Sequence, residues 1–231
     1  MTAPALAQVH DNPGYDRPGL GFTPAVLLPG DATLEQGVPD WSHARGASVY
    51  DADTLLRLGL GHALELQLGS GWNWLDAHGS VLNGRPDTAL AVKFAPAAIG
   101  GFSWGLLGSV EFTDGAWAFR NEQRQYLFGA SFNWQRDPGH ALGLYAEARG
   151  GQQESQLVAI NSSWTITPTL GWYAEAAAQR LAGVGGGSMA GAGLSWQVTP
   201  RVQLDIGARH RLFGHADTWE GGLGFAVYFG N

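Results

Sequence analysis

From about residue 32 onward the chain falls into segments of about ten residues in which every second side chain is apolar. Leu64, Leu66 and Leu68 face one way between Ala63 and Gly69, and Glu65, Gln67 and Gly69 face the other. In the stretch Leu142 to Arg149, Leu144, Ala146 and Ala148 oppose Gly143, Tyr145, Glu147 and Arg149. From Val202 to Arg211, Val202, Leu204, Ile206 and Ala208 oppose Gln203, Asp205, Gly207, Arg209 and Arg211. The last segment sets Leu223, Phe225, Val227 and Phe229 against Gly222, Gly224, Ala226 and Tyr228. A period of two is that of a β-strand, whose successive side chains leave opposite faces. The pattern predicts twelve strands, at about 32–41, 50–60, 63–71, 87–95, 102–112, 124–134, 141–150, 154–164, 169–179, 187–198, 201–211 and 218–229.

Composition limits what these strands can build. Of the 231 residues, 45% are hydrophobic and only 14% are charged, where soluble domains carry about a quarter. The mean hydropathy is nevertheless −0.10, so the apolar residues are dispersed. The longest apolar stretch, Ala95 to Val110, is broken by Pro96, Gly100, Gly101 and Gly105, and no window reads as a membrane helix of about 20 residues. A net charge of −7 argues against a nucleic-acid partner, which needs a basic footprint. The absence of cysteine excludes thiol catalysis, disulfides and thiolate metal sites, and suits passage through an oxidising periplasm. The seven histidines are scattered without ligand spacing, so neither a metal nor a cofactor is expected.

Ala5-Leu6-Ala7 before Gln8 reads as the end of a secretory signal peptide whose earlier regions are missing. Residues 1–7 are therefore expected to be a signal-peptide remnant, trimmed close to the cleavage site with Met1 added. Residues 8–30 are irregular and rich in Pro and Gly, and residues 31–231 form a single barrel domain.

The connections alternate in character. Gly61-His62, Pro96 to Gly101, Arg136 to Gly139, Thr165 to Pro168 and Thr199-Pro200 are short. Asn73 to Pro86, Thr113 to Gln123, Leu181 to Gly186 and Leu212 to Asp217 are longer, and only Gly150 to Gln153 among the alternate set is brief. Short periplasmic turns and longer extracellular loops are the layout of an outer-membrane barrel. Trp104, Trp134, Trp164, Trp172 and Trp196 lie beside short turns in the apolar phase, and Trp72 and Trp219 near the long loops. Indoles favour the lipid–water boundary, so these tryptophans are expected to form aromatic girdles.

The polar phase decides which face is outside. About half of it is Gly, Ala or Ser, among them Gly59, Gly69, Gly105, Ser109, Gly129, Ser131, Gly191 and Gly207. A wetted outer surface would favour Lys, Glu and Thr over so much strand-weakening Gly. The bulky phase is therefore assigned to lipid and the small phase to a lumen, in a closed antiparallel up-and-down β-barrel.

Inward candidates are Arg57, Lys93, Arg149, Arg209 and Arg211 against Glu65, Glu111, Glu147, Glu175, Asp205 and Glu220. The Gly61-His62 turn predicts Arg57 directly opposite Glu65, and the loop before Thr218 predicts Arg209 opposite Glu220. These read as lumen salt bridges, and their near balance predicts weak ion selectivity. Twelve strands should leave a narrow pore unless the loops or the N-terminal segment fill it. His78-Gly79-Ser80, with Asp76 nearby, is the one His-x-Ser grouping, but it falls in a loop, and no enzyme is expected.

Asp16-Arg17-Pro18-Gly19, Leu34-Glu35-Gln36-Gly37 and Thr54 to Leu60 running into Leu64-Glu65-Leu66 resemble a known group. They look like the outer-membrane transporters named for the meta-pathway of phenol degradation, with a D-R-P-G start, an L-E-x-G strand and an R-x-G-L turn into L-E-L. Gly61-His62-Ala63 departs mildly from that pattern, where the group has polar turn residues. The resemblance implies a transporter-like barrel for aromatic or other small organic compounds, and it carries over no binding residues. The expectation is a monomer in the bacterial outer membrane, in contact with its lipid, passing small solutes by diffusion, with both termini periplasmic. The alternative is a plugged barrel acting as a structural or surface-interaction protein.

Overall fold

The computed structural model describes residues 12–230 except 45 and 78. Residues 1–7, read above as a signal remnant, lie outside the described residues, as does His78. The described chain contains fifteen strands and no helix. They are β1 (Ala32–Ala44), β2 (Ala47–Asp51), β3 (Thr54–Gly61), β4 (Leu64–Ser70), β5 (Asn73–Ala77), β6 (Ser80–Gly84), β7 (Ala89–Phe94) and β8 (Phe102–Glu111). There follow β9 (Gln125–Asp137), β10 (His140–Gly150), β11 (Ser155–Thr167), β12 (Leu170–Leu181), β13 (Gly185–Thr199), β14 (Val202–Gly214) and β15 (Trp219–Phe229).

Twelve of these close a ring. Each of β7 to β14 pairs antiparallel with the next, β7 pairs with β4 and β4 with β3, β3 pairs with the first half of β1, and β15 pairs back onto β1 from Ala32↔Phe229. Closure leaves that ring without a free edge, which a sheet surrounded by lipid requires. The other three strands extend the wall at one rim. The second half of β1 pairs with β2, β2 with β5, and β5 with β6.

These extensions correct the reading of Asn73 to Pro86 as a loop. The segment is a hairpin, β5–β6, with Trp74 opposite Asn83 and Asp76 opposite Val81. Likewise β14 reaches Gly214 and β13 begins at Gly185, so residues 112–124 form the one long irregular loop of the described chain. Strands that rise past the apolar band need no greasy phase, which is why alternation does not reveal them.

The burial pattern is that of an inside-out protein. Arg57, Glu65 and Lys93 are fully buried (0% exposed), while Ile160 is 60% and Phe128 58% exposed. Along β11, Val158 and Ile160 face out and Ala159 between them is buried. Charged side chains line the interior, and Leu, Ile, Phe and Trp form the outer surface, the arrangement that hydrocarbon surroundings select.

Candidate functional site

The interior is occupied by the chain's own N-terminal segment. Residues 12–30 precede β1, yet Tyr15, Phe22 and Leu27 are buried, and the segment's polar groups bond to inward side chains of strands around the ring. Two sets of charges fasten it.

The first set lies on β1, β3, β4 and β7. Arg57 donates from Nε to Glu65 Oε1 at 2.8 Å and from Nη2 to Glu65 Oε2 at 3.0 Å, and from Nη1 to Glu35 Oε1 at 2.8 Å. Its Nη1 also donates to the carbonyl of Gly14 at 3.0 Å. Lys93 Nζ lies 2.9 Å from Glu65 Oε1 and 3.1 Å from Asp16 Oδ1. The carboxylates in turn accept backbone N–H groups of the segment: Glu35 from Asp16 and Arg17, Asp16 from Thr23, and Glu65 from Leu27. Gln67 donates to both Asp16 and Glu65. A buried charge is tolerated only when its remaining lone pairs and protons are also met, and this cluster meets them with main chain.

The second set lies across the lumen. Arg17 forks onto Asp40 at 2.5 and 2.9 Å and reaches Asp205 at 3.1 Å. Glu175 accepts Arg209 Nε at 2.6 Å and the N–H of Leu20 at 3.1 Å, and Arg209 Nη1 lies 3.3 Å from Glu220. Gln203 donates to the Arg17 carbonyl at 3.1 Å.

Inner-wall glycines make room for the segment. At Gly59 a Cβ would occupy the place of the Leu28 carbonyl, and at Gly224 that of the Arg17 guanidinium. At Gly105 and Gly129 it would stand 3.2 and 3.3 Å from the Phe22 ring. Phe22 in turn meets Tyr145 edge-on at 5.7 Å and 84°. Above this contact Leu107, Leu127, Leu157 and Met189 point inward among alanines, with Glu147 opposite Leu157 and Arg149 opposite Leu127.

The structure places the sequence-derived lumen residues in three groups. Arg57, Glu65 and Lys93 belong to the first set, and Glu175, Asp205, Arg209 and Glu220 to the second. Glu147, Arg149 and Glu111 stand apart toward the long-loop rim. Glu147 accepts from Tyr145 Oη at 2.6 Å and Arg149 Nε at 3.0 Å, and Glu111 from Asn121 Nδ2 at 2.9 Å. Arg211 donates to the Ala216 carbonyl at 3.3 Å. Arg209 does lie opposite Glu220, but Arg57 lies opposite Gln67 and not Glu65. An irregularity between Gly59 and Gly61 shifts that ladder, so Arg57 reaches Glu65 diagonally.

Sequence reasoning missed Asp16, Arg17, Glu35 and Asp40 as interior groups, and the four inward apolar residues. Glu35 was recoverable, because Thr33 and Glu35 alternate with Leu34. Leu107 and Leu127 were not, because a lipid-facing residue adjoins each in sequence and a bulky side chain on both phases carries no sign of direction.

At the short-turn rim, Trp164 stacks on His140 (5.1 Å, 5°) and on Trp172 (4.2 Å, 12°). Trp134 packs against Phe102, Trp104 against Phe94, and Trp196 lies on the outer surface opposite Leu170. Trp219 meets His210 edge-on toward the other rim. Ser80 opens the exposed β6 strand and Asp76 sits on β5.

Over the loop, Asp114 accepts Thr88 N–H at 2.8 Å, Thr88 Oγ1 at 2.9 Å and Arg85 Nη1 at 3.1 Å. Those bonds, led by the two from Thr88 and aided by the Arg85 charge, hold the Asp114 carboxyl down at about 2. Asp87 accepts the N–H groups of Gly115 and Asn121, both at 2.7 Å.

The segment does not fill the lumen. A cavity of about 490 Å³ remains between its residues 18–24 and the inner face of β9 to β13, reaching the short-turn rim at Pro138 and Gly139. A smaller one of about 100 Å³ lies beside Arg17, Asp205 and Arg209.

No protein-family model matches the chain, and no curated protein matches it in sequence. Solved structures do match its fold. An outer membrane channel from Pseudomonas putida F1 superposes with a TM-score of 0.66 at 12% identity, covering 89% of this chain and 97% of that one. The NanC porin does so with 0.60 at 11% identity, covering 87% and 100%. The CymD monoaromatic hydrocarbon channel gives 0.50 at 7% identity, covering 89% and 90%. At these identities the likeness is one of fold.

Proposed function

We propose that this chain is a monomeric outer-membrane channel for small organic solutes, aromatic ones among them, narrowed by its own N-terminal segment. The observation that carries this reading is the position of that segment. Both charge sets tie it to the wall, and the 490 Å³ cavity is left along β9 to β13. A solute entering from the long-loop rim would meet the inward residues Leu107, Leu127, Leu157 and Met189, then the Phe22–Tyr145 contact, then that cavity. The four apolar side chains on this path favour organic solutes over ions, because stripping water from an ion without replacing it is costly, and the Glu147–Arg149 pair beside them is mutually compensated. Every arginine and lysine of the two sets is already paired, so little charge selectivity follows. The fold's likeness to channels, one of them described as a monoaromatic hydrocarbon channel, agrees with this reading, as does the resemblance in residues 16–68. The start of β1 and the end of β15 then lie on the periplasmic side with the short turns.

The second reading is a barrel sealed for good by the segment and acting through its surface; the full burial of Arg57, Glu65 and Lys93 favours it. Planar-bilayer recording separates the two. The channel reading expects small openings from the native chain and openings several times larger from Asp16→Ala/Arg17→Ala, which removes the segment's own charged side chain from each set. Silence from both, with folded protein present, overturns the channel and leaves the sealed barrel.

A further inference from the structure

The wall of the 490 Å³ cavity differs in chemistry from the rest of the lumen. Asn133, Asn161, Ser163 and Ser195 project into it from β9, β11 and β13. They lie on one patch: Asn133 and Asn161 both flank Gly143, Ser163 pairs with Tyr173, and Ser195 pairs with Gly171. The absence of a side chain at Gly143 is what admits the Asn161 amide, since a Cβ there would stand 2.5 Å from Asn161 Oδ1. Among the described residues the hydroxyl and amide groups of these four side chains bond to no other protein group, whereas the charged groups nearby are spoken for.

Two carboxylates border the cavity, Asp16 and Glu175. Asp16 is held by Lys93, Gln67 and the Thr23 N–H, and Glu175 by Arg209 and the Leu20 N–H. Neither Lys nor Arg is among the residues lining it. An anion would find two carboxylates and no lysine or arginine, with His140 at the rim engaged by Ser162, and a cation would have to displace Lys93 or Arg209. Open amides and hydroxyls on the wall and the Phe22 ring on the segment side suit a neutral molecule with several hydrogen-bonding groups and an apolar face. The volume falls within the range of small-molecule sites, about 300–1,000 Å³.

We infer that this cavity is a binding site for uncharged, polyhydroxylated small molecules at the short-turn mouth of the barrel. It deepens the channel reading, and rests on it only for the direction in which the molecule travels. The test is saturation-transfer NMR on the full chain, folded in detergent micelles, with glucose, glucuronate and glucosamine as probes of matched size. Glucose should give a signal at least about fivefold above either charged analogue, and Asn161→Ala/Ser195→Ala should lose at least about that factor, the worth of one of the two neutral hydrogen bonds removed. The variant removes atoms and adds none, and its fold is checked by retention of the heat-dependent gel shift of a folded barrel. Equal signals from the three probes, or an unchanged glucose signal in the folded variant, would overturn the site. Bilayer recording on the same preparation reports separately on the channel. Openings without glucose preference reject the site and keep the channel; a glucose signal from a silent protein keeps the site and rejects the channel.

Discussion

Arg57 grips Glu65 in two near-parallel bonds of 2.8 and 3.0 Å although Gln67 is its ladder partner. The diagonal reach leaves the outer nitrogen of the guanidinium free to bind Glu35 and the Gly14 carbonyl. One cation thereby joins three elements of the wall to the segment inside it.

Truncating that cation leaves Asp16, Glu35 and Glu65 with Lys93 alone. Arg57→Ala should cost about 3–5 kcal/mol, the penalty of an uncompensated buried charge. Urea unfolding followed by tryptophan fluorescence measures it. A loss under about 1 kcal/mol would mean that the cluster is wetter than its burial indicates.

Gly59 stands where the main chain of Leu27 and Leu28 crosses the wall. Gly59→Val should push the segment off β3 at a cost of about 1–3 kcal/mol, as overpacking does. Limited proteolysis should then cleave within residues 12–30 of the variant while the native chain resists.

The ring was legible in the sequence because lipid on one side and a lumen on the other impose a period of two on every spanning strand, as in Val202 to Arg211. β5 and β6 were not, since Asn73-Trp74-Leu75-Asp76-Ala77 lies beyond the apolar band and mixes its faces. The charged lumen residues and two of their ion pairs, Arg57–Glu65 and Arg209–Glu220, could be named, but their other partners could not. Asp16 and Arg17 come from a segment with no period, and only folding brings it inside the ring. The excess of inward glycine was a trace of that segment, visible as composition and intelligible only once Arg17 is seen against Gly224.

Phe22 anchors the apolar part of the segment against Tyr145. Phe22→Ala should destabilise the barrel by about 3 kcal/mol and raise single-channel conductance, because the ring narrows the path between Leu107 and the cavity. Conductance unchanged from the native value would place the constriction elsewhere.

Asp114 ties the long loop to Thr88 and Arg85, and its carboxyl titrates at about 2, below the ordinary value near 4. A carboxyl lowered by folding stabilises the folded form fully above about pH 4 and loses that contribution as pH falls toward 2. Hydrogen-exchange protection of the Thr88 amide, which donates to Asp114, should therefore hold at pH 4 and fall by pH 2. Asp114→Asn should reduce the protection at pH 4 and flatten its pH dependence.

Cysteine is absent from the chain, so single-cysteine spin labels can read the two faces of one strand without background. Labels at positions 157 to 161 of β11, in lipid bilayers, should alternate. Those replacing Val158 and Ile160 should collide with dissolved oxygen and be shielded from a water-soluble nickel relaxant, and the label replacing Ala159 should show low access to oxygen. The opposite phase, with the label at 159 in hydrocarbon and those at 158 and 160 shielded from oxygen, would contradict the inside-out assignment on which the plugged lumen and the channel both depend.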